Sequence, residues 1–314
     1  MIKKAVIYLV ITILSLYAVR EWLYSGLRNN KTGVFEKYNT IFTKKNSFDV
    51  LFMGSSRTEM HFNTKIFDSI TGFESYNIGV TGATPRIAYG VLKAYCSKSQ
   101  PPKYLIFDLD YHFLKYGIDT IKNFPRYFPF LDNEILLQQF KAIDNRFVNF
   151  KYNPFYSLPY SNVRSLAASL HGWLGIESRE DSSYYKGFSK VVFRDTMKTV
   201  EVSPFYCYIH PVERNYIDSI ILFSKEKSMK LVLISSPMHS AIKGAIINRS
   251  SIIAQLQRIA QINHLTYHDF SSRPYSSRLG FFTDFYHMNG HGAGVFTEEF
   301  SHYFQQYINK KTVK

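Results

Sequence analysis

Short unbroken apolar runs, each closed by a polar or turn-forming residue, recur through this chain of 314 residues: Val50 to Met53, then Tyr104 to Phe107 within Lys103–Asp108, and Leu231 to Ile234 within Lys230–Ser236. Runs of this length bounded in this way read as buried strands. Two further strands are expected at Ser75 to Val80 and Leu265 to Phe270. Between them the apolar positions take helical spacing. Ile87, Val91, Leu92 and Tyr95 make one face behind Thr84-Pro85, an N-cap followed by proline at the first helical position. Asn63 caps a short helix within 61–67, His210-Pro211 opens another that runs through Lys227, and Asn248 to Ile262 and Gly290 to Ile308 follow. Strands alternating with helices imply a parallel sheet with right-handed crossovers. Five strands on this plan predict an α/β fold, a flavodoxin-like doubly wound sheet.

The alternation fails from Tyr111 to about Tyr208. That segment carries Pro125, Pro129, Pro154 and Pro159 and an excess of Tyr and Phe, with helices expected only at Asn133–Asp144 and Ser161–Gly172. So long an interruption reads as an insertion. Its aromatic rings either form its own small core or line a cleft that stacks on sugar rings. Residues 28–47 are rich in Asn, Lys, Thr and Ser and read as a stalk. The expected organisation is an anchor at 1–27, the stalk at 28–47, an α/β domain of 48–110 and 209–314, and an inserted cap at 111–208.

The anchor rests on charge placement. Lys3-Lys4 precede fifteen uncharged residues, Ala5 to Val19, and Arg20-Glu21 follow. As a helix the run spans about 22 Å, short of the roughly 30 Å hydrocarbon core. Snorkelling by Arg20 and interfacial Trp22 and Tyr24 supply the remainder. No small-residue cleavage site precedes the charged pair, so an uncleaved membrane helix is expected; the competing reading is a buried amphipathic helix. Positive charges flank both sides of the run, and the short basic tail in front of it is the feature that places the large domain outside the cytoplasm.

Composition narrows the partners. Lys and Arg number 38 against 24 Asp and Glu, a net charge of +14. The charges are scattered rather than run together, which favours anionic lipid or polymer over nucleic acid. Cys96 and Cys207 are too few for a disulfide framework and are either free thiols or one bridge. No cofactor motif is present.

Candidate chemistry sits where the first strand ends, at Gly54-Ser55-Ser56-Arg57. A hydroxyl there is either a nucleophile at the carboxyl end of a strand or a cap on the next helix. Far downstream stands Asp284-Phe-Tyr-His287. This spacing lets a carboxylate hold an imidazole in one tautomer while its other nitrogen faces a serine. A metal site of Asp284, His287 and His291 is the rival use of the same residues, with Gly290 and Gly292 arguing against a regular helix to carry it. Arg57 either meets an anionic substrate or pairs with Glu59.

These motifs resemble the SGNH (GDSL-type) hydrolase and acyltransferase superfamily. Its first block, Gly-Asp-Ser, matches Gly54-Ser55-Ser56, and its last, Asp-x-x-His, matches Asp284 to His287. The second, an Asn followed five residues later by Gly, matches Asn77 to Gly82. The third, Gly-x-Asn-Asp, does not match; Phe107-Asp-Leu-Asp-Tyr-His112 stands in its place. The resemblance implies Ser56 as nucleophile, His287 as base and Asp284 as its orienting carboxylate. It also implies an oxyanion hole from the Ser56 and Gly82 amides, with His112 or Tyr111 replacing the missing side-chain donor; Asn77 and, from its place beside the nucleophile, Arg57 are the candidate substrate contacts. The single anchor, Gly-Ser-Ser and the terminal Asp-x-x-His-x-Asn-x-x-Gly-Ala are most similar to the envelope acyl-transfer branch, which includes the teichoic-acid D-alanyl transfer and alginate acetylation proteins. That implies an envelope polysaccharide or other acyl acceptor and a membrane-bound O-acyltransferase as partners. With one block absent, a catalytically silent protein of this fold that binds polymer or scaffolds such a partner is the alternative.

Overall fold

The computed structural model describes residues 1–109, 114, 121–177, 184–191 and 202–312. Five strands form one parallel sheet: β1 Val50–Met53, β2 Ser75–Asn77, β3 Tyr104–Asp108, β4 Lys230–Ser235 and β5 Thr266–Asp269. Their order is 2-1-3-4-5. In register, Leu51 faces Tyr76 and Leu105, Phe107 faces Leu233, and Ile234 faces His268. All four β1 residues are buried, as expected of a strand with both faces of its sheet covered, and this is why β1 and β3 read as continuous apolar runs rather than alternating ones. The chain leaves β1 toward β2 and then crosses back to β3, so the switch point of this doubly wound fold lies at the carboxyl ends of β1 and β3.

The strands end in polar residues: Ser55 and Ser56 just beyond β1, Asn77 at the end of β2, Asp108 at the end of β3, Ser235 and Ser236 at β4, and Asp269 at β5. Each polar residue sits where the sheet's hydrogen-bond ladder stops and backbone groups need partners. Asn63 caps the helix Thr64–Thr71, accepting from the amides of Lys65 and Ile66, and Gly72 ends it at φ 73° in the left-handed conformation.

Phenylalanines hold the sheet to the last helix, Gly290–Thr312. Phe52 stacks on Phe62 at 4.6 Å, Phe62 meets Phe300 edge-on at 5.3 Å, and Phe67 meets Phe304 at 5.3 Å. Phe52, Phe62, Phe67, Phe300 and Phe304 are fully buried. The strand and helix around the candidate site are thereby locked to the chain's other end.

Two compact units emerge. Unit 2 comprises Asn46–Leu92, Ser99–Ile118 and Ser183–Lys314 and contains the sheet; unit 1 comprises Met1–Lys45, Lys93–Lys98 and Asp119–Ser182. Of the segment expected as a cap, the described residues 121–177 fall in unit 1 and 114, 184–191 and 202–208 in unit 2. Two short antiparallel strands, Tyr184–Tyr185 and Phe188–Ser189, lie in that latter part. In unit 1 the amino-terminal helix runs from Ile2 to Asn29, about 42 Å at 1.5 Å per residue. Among the described residues it is the helix long and apolar enough to cross a membrane. Its Gly26 packs on Gly172 of the helix Val163–Trp173 so closely that a Cβ on Gly172 would fall 1.8 Å from the Gly26 carbonyl oxygen. Residues 28–47, read as a polar stalk, instead contain a helix, Gly33–Phe42, whose Tyr38, Ile41 and Phe42 are buried. Tyr38 stacks on Tyr127 at 5.0 Å. Cys96 and Cys207 form no disulfide.

Phe300 contacts the Phe52, Phe62, Phe67 and Phe270 rings. Phe300→Ala is expected to destabilise unit 2 by about 3–5 kcal/mol through lost transfer energy and a cavity, measured as a shift in urea midpoint at unchanged slope; a loss below about 1 kcal/mol would show that this cluster does not carry the packing.

Candidate active site

β1 delivers the chain to Gly54, whose φ is 155°. A side chain there would meet Thr58 Oγ1 at 2.2 Å and the Asp108 carbonyl oxygen at 2.9 Å, so only glycine lets the turn pass. Ser55 caps the following helix, Ser56–His61, its hydroxyl accepting from the Arg57 amide at 3.2 Å. Ser56 is the first helical residue, a position whose amide has no intrahelical acceptor.

The Ser56 hydroxyl lies 2.8 Å from His287 Nε2. On the other side of the ring, His287 Nδ1 is 2.8 Å from Asp284 Oδ2 and 3.0 Å from Oδ1. A carboxylate accepts only, so Nδ1 carries the proton, Nε2 is left as an acceptor, and the serine hydroxyl donates to it. Asp284 is itself fixed by the Tyr286 and His287 amides, which donate to Oδ1 at 2.8 and 2.9 Å. Burial pushes the Asp284 carboxyl up, but the hydrogen bond and charge of His287 together with the two amides outweigh it and hold the group below its ordinary value. The structure thus brings together Ser56, His287 and Asp284, residues 231 positions apart in sequence.

Two residues read as substrate contacts prove to be internal. Arg57 is fully buried; its guanidinium donates to the carbonyls of Ser236 and, at 3.0 Å, Pro237. It faces the end of β4, not a ligand, and Glu59 accepts instead from the Thr81 hydroxyl at 2.7 Å. Asn77 is likewise buried, donating to the carbonyls of Thr58 and Phe62 and accepting from the Gly79 amide. Its side-chain nitrogen fastens β2 to the helix Ser56–His61 and the Phe62 that caps it, and its oxygen holds the turn at Gly79. Gly82 lies in the turn beyond, at φ 80°, in a loop pinned against that helix by Gly79 and Thr81. Tyr111 and His112 lie outside the described residues. The His291 ring packs edge-on to Phe281 at 4.8 Å, and among the described residues no three His, Cys, Asp or Glu side chains are grouped to hold a metal ion.

Sequence reading missed His61. It is fully buried; its Nε2 accepts from the Met288 amide at 3.0 Å, leaving Nδ1 to donate to the Ser236 hydroxyl at 3.0 Å. Met288 is the neighbour of His287, so His61 is a positioning residue that ties the imidazole-bearing loop to the helix bearing Ser56. Burial, with the charges of Arg57 and His287, pushes its pKa well down against a smaller opposing pull from Tyr286. Asp108 works beside it, accepting from the Ser236 amide at 2.8 Å and the Thr58 hydroxyl at 3.3 Å. The available signal was position alone: His61 lies one turn beyond Ser56, and Asp108 closes β3.

No protein-family model matches the chain, and no curated protein matches it. Among solved structures, the chain is similar to a Bacteroides fragilis protein carrying the provisional name acylhydrolase, with 15% identity, a TM-score of 0.41, and 88% of this chain and 93% of that one covered. It is also similar to a GDSL-like lipase from Bacteroides thetaiotaomicron, with 13% identity, a TM-score of 0.39, and 83% and 88% covered.

The buried neutral His61 has a signature in stability. Unfolded, it titrates near 6.5; folded, its pKa lies well below that. As pH falls below about 6.5 the unfolded chain takes up a proton that the folded one refuses, so stability drops by up to about 1.4 kcal/mol per pH unit until the folded pKa is reached. His239 and His268, also held low by burial, add smaller slopes in the same sense. His61→Gln should reduce the slope between pH 6.5 and 5 by up to one proton's worth, measured by urea unfolding across pH; an unchanged slope would show that His61 is not neutral when folded.

Proposed function

We propose that this protein is a serine esterase or O-acyltransferase of the SGNH type, anchored in a membrane by its amino-terminal helix and acting on a cell-envelope carbohydrate polymer. The observation that carries the chemistry is the unbroken hydrogen-bonded line from the Ser56 hydroxyl through His287 to Asp284, with both links at 2.8 Å. In that arrangement Ser56 Oγ attacks an ester carbonyl carbon as its proton passes to His287 Nε2. Asp284 stabilises the imidazolium that forms. The tetrahedral oxyanion draws on backbone donors, for which the Ser56 amide at the helix start and the Gly82 amide are the candidates; loss of one such donor typically costs about a hundred- to a thousandfold in rate. Collapse breaks the bond to the leaving alcohol, His287 returns the proton to it, and an acyl-Ser56 ester remains. Water then completes hydrolysis, or an alcohol of the acceptor completes transfer, by the same steps in reverse.

The envelope setting is supported by the apolar helix with Lys3-Lys4 in front of it and by the sequence resemblance to envelope acyl-transfer proteins. A polytopic O-acyltransferase as acyl donor partner belongs to the same proposal. Alkaline phosphatase fused after Lys45 should be active, because it folds only in an oxidising compartment; an inactive, well-expressed fusion would place the protein in the cytoplasm and remove the polymer.

Ser56→Ala should abolish hydrolysis of p-nitrophenyl acetate and labelling by a fluorophosphonate, with a loss of up to about a millionfold where triad members act as a unit. Ser55→Ala removes the capping hydrogen bond and should retain labelling while losing about 1 kcal/mol of stability. Intact-mass measurement reads both. Label on Ser56→Ala but not on Ser55→Ala would reverse the assignment, and no label on the parent would favour the silent scaffold.

A further inference from the structure

Unit 1 contains a cavity of about 470 Å³, the size of an ordinary ligand site. Leu27, Phe128 and Tyr160 give it an apolar wall, and Arg126 and Arg164 are the charged residues that line it. Among the described residues no Asp or Glu lines the chamber and neither arginine meets a carboxylate. Two uncompensated cations beside an apolar wall match a ligand that is anionic at one end and apolar at the other. A guanidinium also suits phosphate oxygens better than any other side chain does, because its donors fork to two of them.

The position of the chamber along the amino-terminal helix says where such a ligand would come from. The exposed apolar stretch of that helix ends at Arg20, and Tyr24 and Leu27, which line the cavity, follow by about 6 and 10 Å of helix rise. The polar headgroup layer on each side of a bilayer is about 5–8 Å thick. Aromatic residues surround the helix at this level. The Tyr17 hydroxyl donates to the Tyr152 carbonyl at 2.6 Å, Arg20 to the Lys151 carbonyl at 2.7 Å, and Trp173 Nε1 to the Trp22 carbonyl at 3.1 Å. Tyr152, Phe155, Tyr156, Trp22 and Trp173 are 43–57% exposed. Exposed Tyr and Trp ringing the end of an apolar helix are the composition of a membrane interface.

We propose that this cavity binds the headgroup of an anionic phospholipid from the leaflet in which the helix ends. The phosphate sits between Arg126 and Arg164, and the glycerol and upper acyl chain lie against Leu27, Phe128 and Tyr160. A zwitterionic lipid would bring an ammonium group for which the wall holds no carboxylate. The proposal rests on the membrane reading of the amino-terminal helix and is independent of the Ser56 chemistry.

Native mass spectrometry of the full-length protein in neutral detergent tests it, with phosphatidylglycerol and phosphatidylcholine of matched chains. The parent should retain one phosphatidylglycerol with a preference on the order of tenfold or more, as two cations near an anionic headgroup supply. Arg126→Gln with Arg164→Gln should bring retention down to the phosphatidylcholine level while the far-UV circular dichroism spectrum and the thermal midpoint stay those of the parent, which shows the fold is intact. Lys98→Gln with Lys141→Gln, exposed positions of the same unit outside the cavity, should change nothing. Equal retention of the two lipids by the parent, an equal loss in the control pair, or full displacement by excess inorganic phosphate would each overturn the proposal. Carbonate washing of phosphatidylcholine vesicles reads the anchor separately: release of the parent overturns the membrane reading and this proposal with it, whereas firm retention without phosphatidylglycerol preference overturns this proposal alone.

Discussion

The guanidinium of Arg57 has no contact with water, and a buried charge of that kind persists only where its donors are taken up by fixed acceptors. The carbonyls of Ser236 and Pro237 both accept from its Nη2, and both lie where β4 stops and its backbone would otherwise be unpaired. Arg57 therefore joins the first turn of the Ser56–His61 helix to the end of a strand nearly 180 residues away. Around it the Thr58 hydroxyl and the Ser236 amide meet on Asp108, and the Asn77 amide holds the Thr58 and Phe62 carbonyls. Three strand ends, those of β2, β3 and β4, are thus tied to one short helix. A helix of six residues has little stability of its own, and this network is what gives Ser56 a fixed place.

The same polar layer reaches the imidazole. His61 accepts from the Met288 amide and donates to Ser236, so the loop carrying Asp284 and His287 is referenced to the atoms that anchor Arg57. Its neutrality follows from its place: a second charge beside Arg57 in a buried site would be destabilising, and the backbone amide of Met288 requires a bare nitrogen. Hydrogen-bond geometry at a serine–histidine pair is sensitive to displacements of about 1 Å. Two adjoining attachments, one beneath the serine and one beneath the imidazole, meet that need from a common point.

Much of the sheet was legible because buried parallel strands leave an unambiguous mark. Val50–Met53 is read at its observed limits, and Thr84-Pro85 locates the next helix because cap chemistry is local. The helix Gly33–Phe42 was hidden by its flanks, Asn29 to Thr32 and Thr43 to Ser47, although Val34, Tyr38, Ile41 and Phe42 repeat at helical spacing. Ser56, His287 and Asp284 were legible as types at a spacing. Arg57 and Asn77 were misread for a reason that sequence cannot remove: a polar residue beside a catalytic motif looks like a ligand contact until it is known which backbone groups from distant strands need it. His61 belongs to the same class, its partners Ser236 and Met288 being brought to it only by the sheet.

Whether such a site hydrolyses or transfers depends on what meets the acyl-serine. On the proposed chemistry His287 would activate water and alcohol alike, since each presents one proton to the same nitrogen. The Asp284 carboxylate is half-exposed at 53%, so solvent reaches the imidazole from that side, and an acyl-enzyme standing in water hydrolyses unless an acceptor hydroxyl is held in attack geometry. Such holding converts a bimolecular step into an effectively unimolecular one and is worth several powers of ten over free solution. Arg57 and Asn77 are committed to the interior and supply no acceptor contact. Transfer therefore requires that the acceptor be bound by residues other than those flanking the nucleophile in sequence, or be presented by a second protein.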